Sequence, residues 1–515
     1  MNDSEPSDLK ERETMKILLT TLNSKYVHMN LAIRYLYEAA IEYKEQIQIK
    51  EFTINNDDDY IFTELVSGGH ELVCFSCYIW NIEKILYLAE NLKKAKPQVK
   101  IVLGGPEVSF DREALLAQYS FIDVVIIGEG ELAFKKLCKD FLEGKKIETN
   151  KIESPIAPEL IPFPYRTVEI QKDKTLYYES SRGCPYRCAY CLSSIDNSIR
   201  ALPVDRVLKE LDFFLSSNVK QVKFVDRTFN WNDDRCYDII NYLIENDNGV
   251  TNFHFEMCGE LITQRLLDRL EDVRPGQMQF EIGIQSTNKQ TLEAVNRTEE
   301  FEKAKANIEK IISFNNIHVH LDLIAGLPFE DYETFKTSFN QVYAMKPDML
   351  QLGFLKLLKG TGIREKTEIY GYVYRRKAPY EVISNKYISA EEIVRIKQIE
   401  AVLDLYYNKG GFNRSLMELI KKTRDDPFDF YEALAGYYYH HGHQDRSHKK
   451  EDLYRILLGY INSKYSEQES INRDTEHKEM YMKEMRELLL LDMKDTLNTE
   501  AVKKFERKGF YALQG

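Results

Sequence analysis

The sequence predicts an α/β protein in three parts: an open parallel sheet, an incomplete (β/α)6 barrel and a helical C-terminal region. Three observations predict it. Short apolar runs alternate with segments of helical period from Met15 to about residue 145; four prolines then fall within twelve residues; and a second alternation of six apolar runs gives way to about 140 charged, helix-patterned residues. The length of 515 residues agrees, since domains of about 150 residues are ordinary and one core stops growing well short of this chain. With 43% hydrophobic and 30% charged residues, a disordered, collagenous or disulfide-stapled protein is excluded.

Taken in order, residues 1–14 (MNDSEPSDLKERET) are polar and lack the apolar run of a secretory signal, so a disordered N-terminus is expected. The first domain, 15–146, carries five strand-like runs: MKILLTTL (15–22), IQIKEFTI (47–54), ELVCFSCYIW (71–80), VKIVLGGPEV (99–108) and IDVVIIGEGE (122–131). Each is apolar enough to be covered on both faces, as in a parallel sheet with helical crossovers. Ligands of such sheets sit beyond the strand C-terminal ends, which here read NSKYVH, CYIWN, GGPEVS and GEGE. Pro155, Pro158, Pro162 and Pro164 in SPIAPELIPFPY make 147–172 an extended, stiff linker.

A second alternation fills 173–372. LYYESSRGC (176–184), QVKFVDRTFN (221–230), TNFHFEMCGE (251–260), QMQFEIGIQS (277–286), IHVHLDLIAGLP (317–328) and DMLQLGFLKLL (348–358) read as strands, and Val207, Leu211 and Leu215 mark one intervening helix. Six such units suit a partial barrel, whose chemistry belongs at the strand C-terminal ends. From 373 to 515 the pattern is helical, as in 389–412 and 415–422, without solenoid repeats.

Against 70 Lys and Arg stand 82 Asp and Glu, a net charge of −12 that disfavours a nucleic-acid partner. No 18 consecutive apolar residues occur, so a soluble, cytoplasmic protein without a membrane span is expected. Of eight cysteines, Cys184, Cys188 and Cys191 share one eight-residue window, which points to a metal site in a reducing compartment. A structural zinc site wants a fourth ligand, and none stands nearby; three thiolates on one loop suit an iron–sulfur cluster with one iron left open.

GCPYRCAYC resembles the radical S-adenosylmethionine (SAM) signature, C-x3-C-x-aromatic-C, with Tyr190 as its aromatic. The resemblance implies a [4Fe–4S] cluster on the three cysteines, and SAM bound to it and cleaved by one electron to methionine and a 5′-deoxyadenosyl radical. It implies polar SAM-binding groups at barrel strand ends, with Tyr190, Asp226, Glu256, Glu281 and Gln285 as candidates; none of the acidic ones has a cationic partner evident nearby in sequence. GIQS and AGLP resemble the corresponding superfamily strands. The N-terminal sheet resembles the Rossmann-like cobalamin-binding domain that precedes the barrel in one large subclass, on the strength of GGPEVS and GEGE. That makes Ser24, Tyr26, His28, Tyr78, Gly104, Gly105, Glu107, Gly128, Glu129 and Gly130 cobalamin-binding candidates. Many such domains ligate cobalt through Asp-x-His-x-x-Gly; here YVHMNL lacks both the Asp and the Gly, which leaves His28 open between cobalt ligand and loop residue. YVYRRKAPYEV (372–382) resembles an uncharacterised C-terminal domain found in a subset of these proteins.

The implied function is that of a cobalamin-dependent radical SAM enzyme, with C-methylation of an unactivated carbon on an unknown small substrate as the expected reaction. A cobalamin-dependent rearrangement, cyclisation or redox step without methyl transfer is the alternative within the class, and a non-catalytic cofactor-binding regulator the alternative outside it. An electron donor such as flavodoxin or ferredoxin is an implied partner. Cys74 and Cys77, three apart on a strand, are expected to pack; Cys258 reads as a small buried hydrophobe at a strand end, and His440, His441, His443 and His448 as a solvated helix end.

Overall fold

Strands β1 (Ile17–Asn23), β2 (Ile47–Thr53), β3 (Leu72–Ser76), β4 (Lys100–Gly104), β5 (Val124–Ile127) and β6 (Asn150–Ile152) form a parallel sheet in the order β2-β1-β3-β4-β5-β6. Successive strand residues point to opposite faces, and both faces carry a core. Leu18, Leu22, Phe75 and Leu103 lie in one, Ile17, Leu19, Cys74 and Val102 in the other. Cys74 and Cys77 are buried in these layers, as packing residues should be. The strand order reverses at β1, so the crevice outside the C-terminal ends of β1 and β3 is the natural ligand position. A sixth strand, β6, extends the expected five. This computed structural model describes residues 16–508 except 111, 148–149, 153–154, 168–169, 172, 197, 424–425 and 470–474; the tail expected at 1–14 lies outside the described residues.

The proline-rich stretch is a packed strap, not a free spacer. Ile156, Ile161 and Tyr165 are buried in the core of the following domain, and Arg206 holds the carbonyls of Pro158 (3.2 Å) and Ile161 (2.6 Å). The Tyr165 hydroxyl donates to the Tyr177 carbonyl at 2.6 Å and accepts from the Tyr177 N–H at 2.9 Å, closing the backbone of an edge strand.

That edge strand is β7 (Thr175–Tyr178). With β10 (Gln221–Phe224), β11 (Asn252–Met257), β12 (Met278–Gln285), β13 (His318–Ala325) and β14 (Met349–Phe354) it forms a six-stranded parallel sheet, β14-β13-β12-β11-β10-β7. Between β7 and β10 a short antiparallel pair, β8 (Ser181–Arg182) and β9 (Arg200–Ala201), stands apart. The run expected as one strand over 176–184 is therefore broken. The cause is Asp226, whose carboxylate takes the Ser180 N–H (2.8 Å) and the Ser180 and Ser181 hydroxyls (both 2.6 Å), turning the chain out of the sheet. Alternate residues Val222, Phe224, Phe255, Phe280, Leu321 and Leu323 bury the outer face against helices. The inner face carries Tyr177, Lys223, Glu256, Glu281 and Asp322 and forms a polar lumen. Residues 27–29 of the first domain add to its edge, through Thr175 N to Val27 O at 2.8 Å and Met29 N to Thr175 O at 3.4 Å.

After β14 the text that resembles the uncharacterised domain opens with a hairpin of β15 (Val373–Tyr374) and β16 (Val382–Ser384), followed by helices including Ala390–Leu403, Asn413–Thr423, Pro427–His440 and Lys450–Glu469. Phe428 stacks edge-on against Tyr332, Phe335 and Phe339 of a barrel helix, so the helical region shares one core with the barrel.

Tyr165→Phe leaves the Tyr177 backbone groups without partners inside the packed strap. Urea unfolding should register a loss of about 1–3 kcal/mol, and an unchanged midpoint would mean that water replaces the hydroxyl.

Candidate active site

The three clustered cysteines lie on the loop between β8 and β9, a short ladder that pins both ends. Gly183 opens the loop at φ +90, and a Cβ there would stand 2.1 Å from the Ser198 carbonyl oxygen, so only glycine fits. Cys184 and Cys188 are buried and Cys191 is half-buried. Each sulfur has a polar neighbour: Thr228 Oγ1 at 3.6 Å from Cys184, Arg297 Nη1 at 3.9 Å from Cys188, and the Ser193 N–H at 3.4 Å from Cys191. Burial pushes the Cys188 thiol up, and Arg297 beside it acts the other way. Among the described residues no three His, Cys, Asp or Glu could hold a metal ion. Three soft thiolates on one loop, each sulfur with a polar neighbour, suit an iron–sulfur cluster.

Arg297 had no signal in the sequence. It is anchored by Glu299 and the Gly283 carbonyl, and its other amino group faces the Tyr190 hydroxyl at 3.5 Å. It thereby joins the cysteine loop to β12. Tyr186 is a second unforeseen neighbour: its hydroxyl lies 3.1 Å from Cys258 Sγ and 3.2 Å from Glu260. Cys258 thus stands at a strand end beside the cysteine loop, buried as expected.

Of the SAM candidates, Glu256 and Glu281 lie side by side in register on β11 and β12. Glu281, without a cationic partner nearby in sequence, has basic groups beside it in space. His254 Nε2 stands 2.9 Å away and Lys223 Nζ 3.0 Å away, contributed by the two strands beyond. The His254 hydrogen bond, opposed by burial and helped by the Lys223 charge, holds its carboxyl down at about 2. Asp226 is likewise committed, to Ser180 and Ser181, and is 1% exposed. Among the described residues Glu256 has no side-chain hydrogen bond, and burial, with Glu281 beside it, raises its carboxyl to about 7. Gln285 ends β12 at φ +69, and its amide folds back over Gly283.

On the first domain, Gly105 (φ +107) approaches the Cys77 backbone so closely that a Cβ would meet its carbonyl oxygen at 2.5 Å, whereas the Cβ position of Gly128 (φ +74) opens on empty space. Gly104 and Gly130 complete these loops. Bare backbone at adjacent strand ends is a fitting wall for a large flat cofactor. Tyr78 stacks on Trp80 at 4.4 Å beside the same crevice, with Ser24 half-buried in the loop after β1 and Tyr26 74% exposed. His28 Nδ1 pairs with the Tyr177 hydroxyl at 2.8 Å, and burial lowers its basicity, so the ring is neutral at pH 7.

The two acidic cobalamin candidates are held by protein partners. Glu107 accepts from the Tyr380 hydroxyl and pairs with Lys359 at 3.1 Å. Glu129 is gripped by Arg200 and by Arg182 (3.2 Å), while Glu131 binds Arg182 at 2.5 Å. Since Arg182 and Arg200 lie on β8 and β9, the glycine-rich loop after β5 is fastened to the base of the cysteine loop. Partners 71 residues apart in sequence gave no sign of this. In the C-terminal region, the His440–His448 segment brings histidine rings together without forming a metal-holding group among the described residues.

Residues 17–138 match the family model described as B12 binding domain, residues 178–342 the Radical SAM superfamily, and residues 368–511 a protein of unknown function (DUF4080). The chain is 24% identical over 431 residues to the cobalamin-dependent radical SAM methyltransferase TokK of Streptomyces tokunonensis, across 72% of this chain and 61% of TokK. It is 24% identical over 341 residues to 2-(S-pantetheinyl)-carbapenam-3-carboxylate methyltransferase of Streptantibioticus cattleyicolor, across 59% of this chain and 50% of that protein. These matches thus span between half and about three fifths of the relatives' length. In fold the chain is similar to the cobalamin-dependent S-adenosylmethionine radical enzyme OxsB, solved with aqua-cobalamin and S-adenosylmethionine bound, at a TM-score of 0.61 and 13% identity over 95% of this chain and 84% of that one. No described helix is long and apolar enough to cross a membrane.

Glu281 links stability to pH in one direction. Its carboxyl sits near 2 in the fold against a usual 4.5, so its contribution is full above pH 4.5 and is lost as pH falls towards 2. Urea titrations between pH 5 and 2 should cost the wild type about 3 kcal/mol more than Glu281→Gln. Parallel curves would show that the ion pair does not form.

Proposed function

We propose that this chain, a radical SAM protein with an N-terminal B12-binding domain and a C-terminal domain of unknown role, is a methyltransferase acting on an unactivated carbon of a small molecule. The observation that carries the reading is the clasp of Arg182 and Arg200 on Glu129 and Glu131, which fixes the cysteine loop and the B12-side glycine loop in one arrangement. When bound, the cluster and SAM supply a carbon radical that abstracts hydrogen, and cobalamin supplies a methyl carrier.

The remaining work falls to the chain's own residues. Cys184, Cys188 and Cys191 would hold the cluster. Arg297, already facing Cys188 and Tyr190, is placed to receive a carboxylate from a ligand of the open iron. Tyr190 shields the loop, Gln285 and Glu256 offer polar contacts at the lumen mouth, and Asp226 holds β7 and β8 in position for them. Gly104, Gly105, Gly128 and Gly130 would admit the corrin, with His28 and Tyr78 at its margin. The apolar outer layer and the helical region, sharing one core with the barrel, keep bulk water from the lumen walls. An external electron donor such as flavodoxin or ferredoxin and a cytoplasmic setting belong to the same reading.

Purified protein reconstituted with iron, sulfide and cobalamin should convert SAM to 5′-deoxyadenosine under dithionite, and label from methyl-deuterated SAM should appear in the product of a methylated substrate. Cys188→Ala should keep the thermal melt and lose the cluster absorbance together with all 5′-deoxyadenosine. Wild-type cleavage without transfer of label would move the chain to the rearrangement or redox class; an intact cluster without SAM cleavage would make it a binding protein.

A further inference from the structure

The chain turns back onto the first domain almost as soon as it leaves the barrel. Residues 357–364, which follow β14, touch the first domain, the cysteine loop and the C-terminal hairpin at once. Lys359 Nζ pairs with the Glu107 carboxylate at 3.1 Å and reaches the Glu107 carbonyl at 3.5 Å. Gly360 turns the chain at φ +80, and a Cβ there would run into the Phe110 ring. The Ile363 N–H donates to the Ala189 carbonyl of the cysteine loop at 2.9 Å, and the Leu357 N–H to the Tyr380 carbonyl of the hairpin at 3.0 Å. Tyr380 in turn donates its hydroxyl to Glu107. Its neighbours in the hairpin turn lean on the same domain, Lys377 pairing with Glu83 at 3.4 Å and Ala378 packing on the first-domain core.

Glu107 stands in the loop that Gly104 and Gly105 open. Glycine backbone of this kind has many conformations, and fixing each residue costs about 1–2 kcal/mol; a cofactor that meets a loop already held is spared that cost. The two groups that hold Glu107 come from 252 and 273 residues further along the chain. Glu107 is 6% exposed and Tyr380 5%. A buried ion pair adds little net stability, so what this one contributes is the position it imposes. Ser109 carries the hold onward, since its hydroxyl donates to the Gly105 carbonyl at 2.9 Å and accepts from the Gly128 N–H at 3.4 Å. Both glycine loops are therefore tied to one carboxylate that is gripped from outside their own domain.

We propose that Lys359 and Tyr380 are positioning residues for cobalamin: through Glu107 they hold the glycine loops of the first domain in the shape that receives the corrin, so that retention of the cofactor depends on the segment after β14 and on the hairpin of the C-terminal domain. This gives the C-terminal domain a task at the boundary of the other two. The proposal rests on these glycine loops being the cobalamin site, and it concerns binding alone, whatever reaction follows.

Full-length wild type, Tyr380→Phe, Lys359→Met and Lys359→Arg are reconstituted with the cluster and loaded with hydroxocobalamin. Release of cobalamin is followed by the visible absorbance of the protein fraction on repeated desalting, and thermal melts are taken with and without cobalamin. Tyr380→Phe and Lys359→Met should release cobalamin about tenfold faster or more, and the rise in melting temperature that cobalamin gives the wild type should shrink in both. Lys359→Arg, which keeps the cation, should release it like the wild type. Melts lowered equally with and without cobalamin, at an unchanged release rate, would make the contact merely structural and overturn the proposal. Hydrogen exchange on the wild type decides where a variant fails to fold: cobalamin should slow exchange across 357–364 and 377–383 as well as 104–109, and protection confined to the first domain would count against the clamp. A wild type that takes up no cobalamin would overturn the reading of the first domain and the clamp with it, whereas variants that retain cobalamin like a competent wild type overturn the clamp alone.

Discussion

One guanidinium organises this molecule. Arg182, on the first rung below the cysteine loop, is nearly buried and binds Glu179 of its own strand end (2.7 Å), Glu131 at the start of the last N-terminal helix (2.5 Å) and Glu129 (3.2 Å), with the Tyr35 ring 5.2 Å away. Taking so many charges out of water makes the net stability of such a cluster small, yet removing one member strands the others at a cost of about 3–5 kcal/mol. What the cluster gives is a single arrangement: a planar fork satisfied by three carboxylates has few alternative poses. The cysteine loop and the loop of Gly128 and Gly130 are thereby fastened to each other.

That rigidity has a counterpart in the lumen. Closed (β/α) barrels fill their interiors with layers of branched apolar side chains, whereas here the inner face is built from Tyr177, Lys223, His254, Glu256, Glu281, His320 and Asp322. A wall so polar contributes little to stability, and the burden passes outward. Phe224, Phe229, Phe255 and Phe280 pack ring on ring behind the sheet, and Phe428 carries the packing into the helical region. The C-terminal helices thus share the core that lets the barrel keep its interior open.

Much of this architecture was legible in the sequence because strand alternation and helix period are local properties. The cysteine loop was legible for the same reason: its three ligands lie within eight residues. What the sequence hid was pairing across strands. Glu281 looked unpartnered because Lys223 lies 58 residues away and His254 27. Asp226 looked free because its serines sit at the end of another strand, 46 and 45 residues back. Asp322 could have been found, as the acid that follows His318 and His320 at the inward positions of β13, while Arg297, in a loop without pattern, could not.

The same blindness changes what the glycine-rich loops mean. GGPEVS and GEGE drew attention as cofactor loops, yet their glutamates face the barrel and the C-terminal hairpin and serve as fasteners, Glu107 to Lys359 and Tyr380, Glu129 to Arg182 and Arg200. The part of each loop left for a ligand is its glycine backbone, which brings shape without charge. On the β1 loop beside them, His28 has its Nδ1 edge taken by Tyr177 of the barrel. A hydrogen bond at one ring nitrogen fixes the orientation of the other. The first domain thus presents the His28 imidazole at an angle set by the second.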